Sequence, residues 1–546
     1  MTTTLALQPG AGVPAAEVPT LDAGALRARL AAPGELALID VREEGVRSRD
    51  GHILQSVPLP LGQIELRAAA LLPRFGAPVV VTDAGDGDRA FRAARRLAEL
   101  GYTDVSVLEG GVAAWAAAGG VVYTGANVLS KAFGEFVEHA YGTPRLPARE
   151  VKARLDRGED LVVLDGRTFQ EFETFHIPGA HAVPNAELPL RVHDLVASDA
   201  TLVVVNCAGR TRSIIGAQAL INAGIPNPVV ALENGTMAWL FEGYDLAQGD
   251  LRPAPAPGAK GLEKARATVS RLAQRFGIRA LDAAGLARFE AERGARTLYV
   301  LDVRTRAEFE AGHLPGAVWA EGGQLVQATD RWVGTRNARI VLVDDADGVR
   351  AAITASWLIQ LGVGEVHVHA IDPGAADLER GPERTTVLGR APTVAVTTVA
   401  GLERLLAREA AVVLDLDTSL AYAAGHIPGA RFAVRARLPE GLDSLPQRPL
   451  VVTSADGRLA ALAAADLAGA GRQVSVLEGG TAAWRAAGLP IETGETALLH
   501  VADDVWRSPY QEGGDRHAAF RRYLDWEIAL IDQIGRDDTI AFKVYP

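Results

Sequence analysis

The chain has one cysteine, Cys207, among 546 residues. A single thiol excludes an intramolecular disulfide and any cysteine-rich metal site, and no Cys/His cluster has the spacing of a zinc site. Neither a metal nor a cofactor is expected. Also missing is any apolar run long enough to span a bilayer. The opening residues, MTTTLALQPGAGVPAA, lack the positive start and long apolar core of a signal peptide, so a soluble cytoplasmic protein is expected. A surplus of positive charge is absent too. Lys and Arg total 55 against 67 for Asp and Glu, a net charge of −12, which argues against a general nucleic-acid or anionic-membrane binder. What is present, 48% hydrophobic and 22% charged residues, makes the chain globular and too long for one core.

The same landmarks recur four times. An apolar strand ends in Asp at LALIDVR (Asp40), LVVLDGR (Asp165), LYVLDVR (Asp302) and VVLDLD (Asp415). A turn carrying His52, His176, His313 or His426 follows, then a second apolar strand with a polar turn. A Leu-Glu-(Gly/Asn)-Gly turn leads to Trp115, Trp239 and Trp484, and the third copy has lost it. His52, Asp83 and Trp115 each recur 124 residues later as His176, Cys207 and Trp239. Short strands alternating with helical segments predict an α/β fold, each unit a parallel sheet covered by helices on both faces. Ligands of such sheets bind beyond the carboxyl ends of the strands.

Cys207 lies at one of those ends, in TLVVVNCAGRTRSIIG. Thr201–Val205 reads as a buried strand and Ser213 onward as an amphipathic helix ending at Gly224. A thiol on that turn faces the amino end of the helix, where free N–H groups and the dipole favour an anion. Arg210 and Arg212 add two positive charges. The expectation is a depressed thiol pKa, a populated thiolate and a pocket that attracts an anionic substrate.

The copies act as an internal control: shared features belong to the fold, features of one unit to chemistry. The aspartates, histidines, tryptophans and double-glycine turns are therefore assigned to capping and packing. The position of Cys207 is Asp83, Asp345 and Ser454 elsewhere. Those Asp-rich loops read as scaffold, with no second ligand set to support a metal, and Ser454 has no assigned base. Arg167 and Arg191 could extend the basic pocket, although Arg42, Arg304 and Arg67 match them. Ser213 reads as a helix cap that could also donate to the sulfur. Glu138 and His139, on the helix before unit two, read as a solvated face.

Together these landmarks resemble the rhodanese family over nearly the whole chain. The Asp-x-Arg strand end, the (G/F)-H-(I/L)-P-G-A turn, the C-A-G-R-T-R-S loop and the L-E-G-G-x-x-x-W turn carry the resemblance. It implies a four-domain sulfurtransferase in which Cys207 takes a sulfane sulfur as a persulfide and only unit two is active. The backbone N–H groups from Ala208 through Gly209, Arg210 and Thr211 to Arg212 would cradle that sulfur. Cys207 and Arg212 are the expected catalytic pair, with Ala208, Gly209, Arg210, Thr211, Ser213 and Arg167 binding substrate. Partners would be a small anionic sulfur donor, thiosulfate first because two arginines favour a dianion, and a thiol acceptor; a protein acceptor or a homo-oligomer remains open. A persulfide carrier or sensor whose inactive units recruit a partner is the rival reading. A cysteine phosphatase or arsenate reductase is disfavoured because four residues, one fewer than those families use, separate Cys207 from Arg212.

The units are placed at 16–124, 144–250, 278–376 and 391–494. Residues 125–143 read as a connecting helix with Val128, Leu129, Phe133, Phe136 and Val137 on one face. The segment 251–277, a Pro/Gly/Ala linker and a polar helix, suggests two pairs of units joined flexibly. The tail, 495–546, carries aromatic residues and a helix expected to pack against a unit, with no chemistry assigned.

Overall fold

The structure, a computed structural model, describes residues 18–468 and 471–546. The first two residues expected for unit one, and the opening stretch searched for a signal peptide, lie outside them. Each unit is a five-stranded, all-parallel sheet with one strand order. In unit two the order is Arg145–Leu146, Val229–Leu232, Leu202–Asn206, Leu161–Asp165, His181–Ala182. Alternate side chains of the central strand feed opposite cores. Val203 and Val205 pack with Ala217 and Leu220 of the helix Thr211–Ala223. Val204 packs on the other face with Val151, Phe172 and Trp239. A strand buried on both faces thus reads as an unbroken Val run.

The shared residues do structural work. Asp165 holds Arg167 through both carboxylate oxygens, and Arg167 Nη2 donates to the carbonyl of Phe175, tying the strand end to the histidine turn. Asp40–Arg42 and Asp302–Arg304 repeat this clasp. His176, His313 and His426 stack on Phe172, Phe309 and Tyr422 with ring centroids 3.7–3.9 Å apart. The third unit, without the Trp turn, instead pairs two eight-residue strands, Ala338–Asp345 and Gly364–Ile371.

Unit four lacks the clasp's arginine, because Asp417 stands where the others have Arg. Asp415 is 1% exposed, and burial pushes its carboxyl up to about 6. An unfolded aspartate titrates near ~3.9, so the folded unit loses stability as pH rises from there to about 6, and carries the full penalty above. Asp415→Asn is expected to stabilise by roughly 2 kcal/mol at pH 8 and by much less at pH 4.5. Thermal unfolding of both proteins at the two pH values checks this; equal gains would contradict it.

The chain is not two flexibly joined pairs. The helix Ala259–Phe276 buries Ala265, Leu272 and Phe276 on one face. Leu272 and Phe276 join one core with Ile215 and Ala219 of unit two and Tyr299, Leu342 and Trp357 of unit three. The helix reads as polar only because its other face is solvated. The connecting helix, Val128–Tyr141, enters the same core through Phe133 and Val137, with Phe133 edge-on to Trp357 and to Phe542 of the tail. Units one and four meet through Arg435 and Glu65.

Candidate active site

Cys207 follows the strand Leu202–Asn206 and precedes the thirteen-residue helix Thr211–Ala223, so its Sγ lies at the amino end of that helix. It is 2% exposed. Its position is fixed from below by the Leu-Glu-Asn-Gly turn, where Thr236 N–H donates to the Cys207 carbonyl at 2.9 Å. The thiol donates to Ser213 Oγ at 3.6 Å, and that hydroxyl donates to the Arg210 carbonyl at 2.8 Å. Ser213 is therefore not the helix cap: Arg210 occupies that position and offers no side-chain cap. Burial pushes the Cys207 thiol up; Arg212, the Ser213 hydroxyl and the amides of Ser213 and Gly209 pull the other way. The depressed pKa expected from the loop charges is thus overturned by desolvation, which a contiguous stretch of sequence does not reveal.

Arg191, Arg210 and Arg212 are all engaged. Arg212 makes a bidentate pair with Glu171 at 2.6 and 2.7 Å. Glu171 also closes a capping box with Thr168, and although burial raises it, Arg212 holds its carboxyl down at about 2. Arg210 turns away from the thiol to Glu135 on the connecting helix at 2.7 Å, and to Glu138 and Asn234. Glu138 is thus an ion-pair partner, not part of a solvated face, while His139 is exposed. Arg191 pairs with Glu187 and the Pro255 carbonyl and takes no part in the site. The expected basic pocket is therefore neutralised by carboxylates distant in sequence.

Arg167 differs from Arg304 of unit three in one atom. Its Nη1 is buried without a partner. In unit three the same atom of Arg304 donates to Asp345, the residue at the cysteine position, at 3.1 Å. Arg304 thus reaches the cysteine position of its own unit, where unit two offers Arg167 a thiol and no carboxylate. The counterpart side chains elsewhere serve as turn caps: Asp83 accepts from Gly85 and Ala90 N–H, and Ser454 from Ala460 N–H.

The tail supplies what the sequence left without chemistry. Tyr510 O–H donates to the Ala208 carbonyl at 3.1 Å and lies 2.7 Å from Thr236 Oγ1, its ring stacked on Phe175. On the terminal helix, Arg516–Ile534, Tyr523 and Glu527 cover Gly209, where a Cβ would come 3.3 Å from the Tyr523 ring and 3.6 Å from Glu527 Oε2. Lys131 Nζ sits 4.8–5.0 Å from the ring centroids of Trp506, Tyr523 and Trp526, clasping the tail to the connecting helix. Glu527 was legible in principle, as a carboxylate inside the apolar stripe Phe520, Leu524, Leu530, Ile534.

Residues 22–118, 147–242, 286–375 and 398–487 each match the rhodanese-like domain family. The chain belongs to the rhodanese family. It is a rhodanese-type sulfurtransferase, similar over 97% of its length, at 45% identity and a TM-score of 0.91, to the whole chain of a thiosulfate sulfurtransferase from Pseudomonas aeruginosa. Over 134 residues, 23% of this chain and 71% of the relative, it is 27% identical to the putative sulfur carrier protein YrkF of Bacillus subtilis. Among the described residues no helix of this rhodanese is long and apolar enough to cross a membrane, and no group of His, Cys, Asp and Glu is placed to hold a metal.

Proposed function

We propose that Cys207 carries the transferred sulfur as a persulfide, taken from thiosulfate or a related sulfane donor and given to a thiol or to cyanide. The single observation that carries this is the lone thiol at the amino end of a buried helix, close enough to the Arg212 guanidinium to feel its charge. The Cys207 thiolate attacks the outer sulfur of thiosulfate; the new S–S bond forms as the old one breaks, and its electron pair leaves on sulfite. Charge balances, because a thiolate and a dianion give a persulfide anion and a dianion. Arg212 and the amides of Gly209 and Ser213 stabilise the charge as it passes between sulfurs, and Arg167 adds positive charge to the same pocket. The acceptor thiolate then attacks the outer sulfur and Cys207 leaves as thiolate, which its proximity to Arg212 favours.

Intact mass after incubation with thiosulfate tests this. The wild type is expected to gain one sulfur that cyanide or a thiol removes, and Cys207→Ser none. No gain from thiosulfate or from glutathione persulfide would remove the reading. The carrier reading is favoured by the covered thiol, and it is distinguished by a stable persulfide that small acceptors discharge slowly.

A further inference from the structure

The loop that would receive an anionic donor already holds an acidic side chain. Glu527 is fully buried, and its Oε1 accepts from both the N–H and the hydroxyl of Thr211, the first residue of the cysteine helix. This is the position at which an amino-terminal helix N–H would otherwise meet a substrate anion. Its Oε2 is buried without a partner, over Gly209 in the cradle. No guanidinium among the described residues pairs with it, because Arg167, Arg210 and Arg212 are paired with Asp165, Glu135 and Glu138, and Glu171. The nearby Lys131 does not pair with it either: its ammonium is held in the aromatic cage and donates to the Ala126 carbonyl rather than to the carboxylate. That cage keeps the terminal helix, and so Glu527, in place over the loop.

We infer that Glu527 is a specificity-determining residue that sets the charge of the sulfur donor, disfavouring dianions such as thiosulfate relative to donors of lower charge. A donor entering the loop must share or displace a resident carboxylate, and each further negative charge it brings is repelled at short range in a desolvated site. A monoanionic thiosulfonate reacts by the same displacement. The Cys207 thiolate takes the outer sulfur of methanethiosulfonate, the S–S bond breaks and its electron pair leaves on methanesulfinate.

This inference rests on the sulfurtransferase reading for its donors, but alkylation of the sole cysteine tests it independently. The ratio of the second-order rates of iodoacetate, an anion, and iodoacetamide, neutral and of similar size, cancels differences in access to Cys207. Glu527→Gln and Glu527→Ala are expected to raise that ratio about tenfold, and Glu527→Asp, which keeps the charge, to leave it near the wild-type value. In sulfur loading, the same neutral variants should raise thiosulfate over methanethiosulfonate by a comparable factor. Circular dichroism and thermal unfolding identify any variant that fails to fold, and either neutral variant suffices. An unchanged ratio in a folded neutral variant overturns the assignment. Should neither donor load Cys207 while the alkylation ratio rises, the charge assignment stands and the sulfurtransfer reading at Cys207 falls.

Discussion

Replacing Arg212 by methionine is expected to slow sulfur loading of Cys207 by about two orders of magnitude and to move the pH profile of its alkylation upward. Burial already holds the thiol above its ordinary range, and Arg212 is the strongest opposing influence. Without that guanidinium the thiolate loses its main charge partner. Each unit by which its pKa climbs removes about tenfold of the thiolate at a fixed pH below it. The sign follows from the acid's chemistry: the reactive form lies above the pKa, so alkylation at pH 7.5 falls while the rate at saturating pH changes little.

A structural objection is that Arg212→Met leaves Glu171 without its partner, a defect that could disturb the loop by itself. The double variant Arg212→Met/Glu171→Gln separates the two. The introduced amide oxygen can still accept from Thr168 at the capping box, and no uncompensated carboxylate remains. If the loss comes from charge at the sulfur, the double variant recovers stability and keeps the displaced pH profile. Should the single variant alkylate with an unmoved profile, Arg212 does not act on the thiol.

What could be read without coordinates followed from local and repeated patterns. Val runs marked strands buried on both faces, and the fixed offset between units one and two aligned Asp83 with Cys207. The aspartate-arginine clasp, the stacked histidine and the strand-to-helix turn are all made within a few residues, so their sequence signals are strong. What could not be read depends on partners far away along the chain. Arg210 looks like a free cation in the loop, yet Glu135 and Glu138 lie on a different helix and consume it. The loop looks like an open anion site, yet Glu527, more than three hundred residues on, sits against Thr211. Cys207 reads as activated because the desolvation that raises its thiol does not show in the residues of its own loop. Asp415 matches its counterparts in position but not in partner, so only its environment reveals the penalty it carries.

Gly235→Ala should abolish sulfur loading at Cys207 to within about one part in a hundred of the wild-type rate while lowering the stability of unit two. Gly235 has φ +53°, and a Cβ there would lie 2.3 Å from the Cys207 carbonyl oxygen and 2.7 Å from that of Gly209. Both neighbours are backbone, so neither can swing aside as a side chain would. The left-handed conformation adds roughly 1 kcal/mol for any residue with a Cβ. Relief requires moving the loop, and with it the Cys207 thiol and the Ala208 carbonyl to which Tyr510 is bonded. The repeats supply the control. Gly111 and Gly480 occupy the same place in units one and four, where a Cβ would meet the carbonyls of Asp83 and Ser454 at 2.5 and 2.1 Å. Gly111→Ala and Gly480→Ala should therefore lower stability by a similar amount and leave the alkylation and sulfur loading of Cys207 at wild-type rates. A Gly235→Ala protein that loads sulfur normally would show that the close backbone approach does not hold the loop. Equal losses of Cys207 reactivity in all three variants would instead trace the effect to global stability rather than to the carbonyl pressed against Gly235.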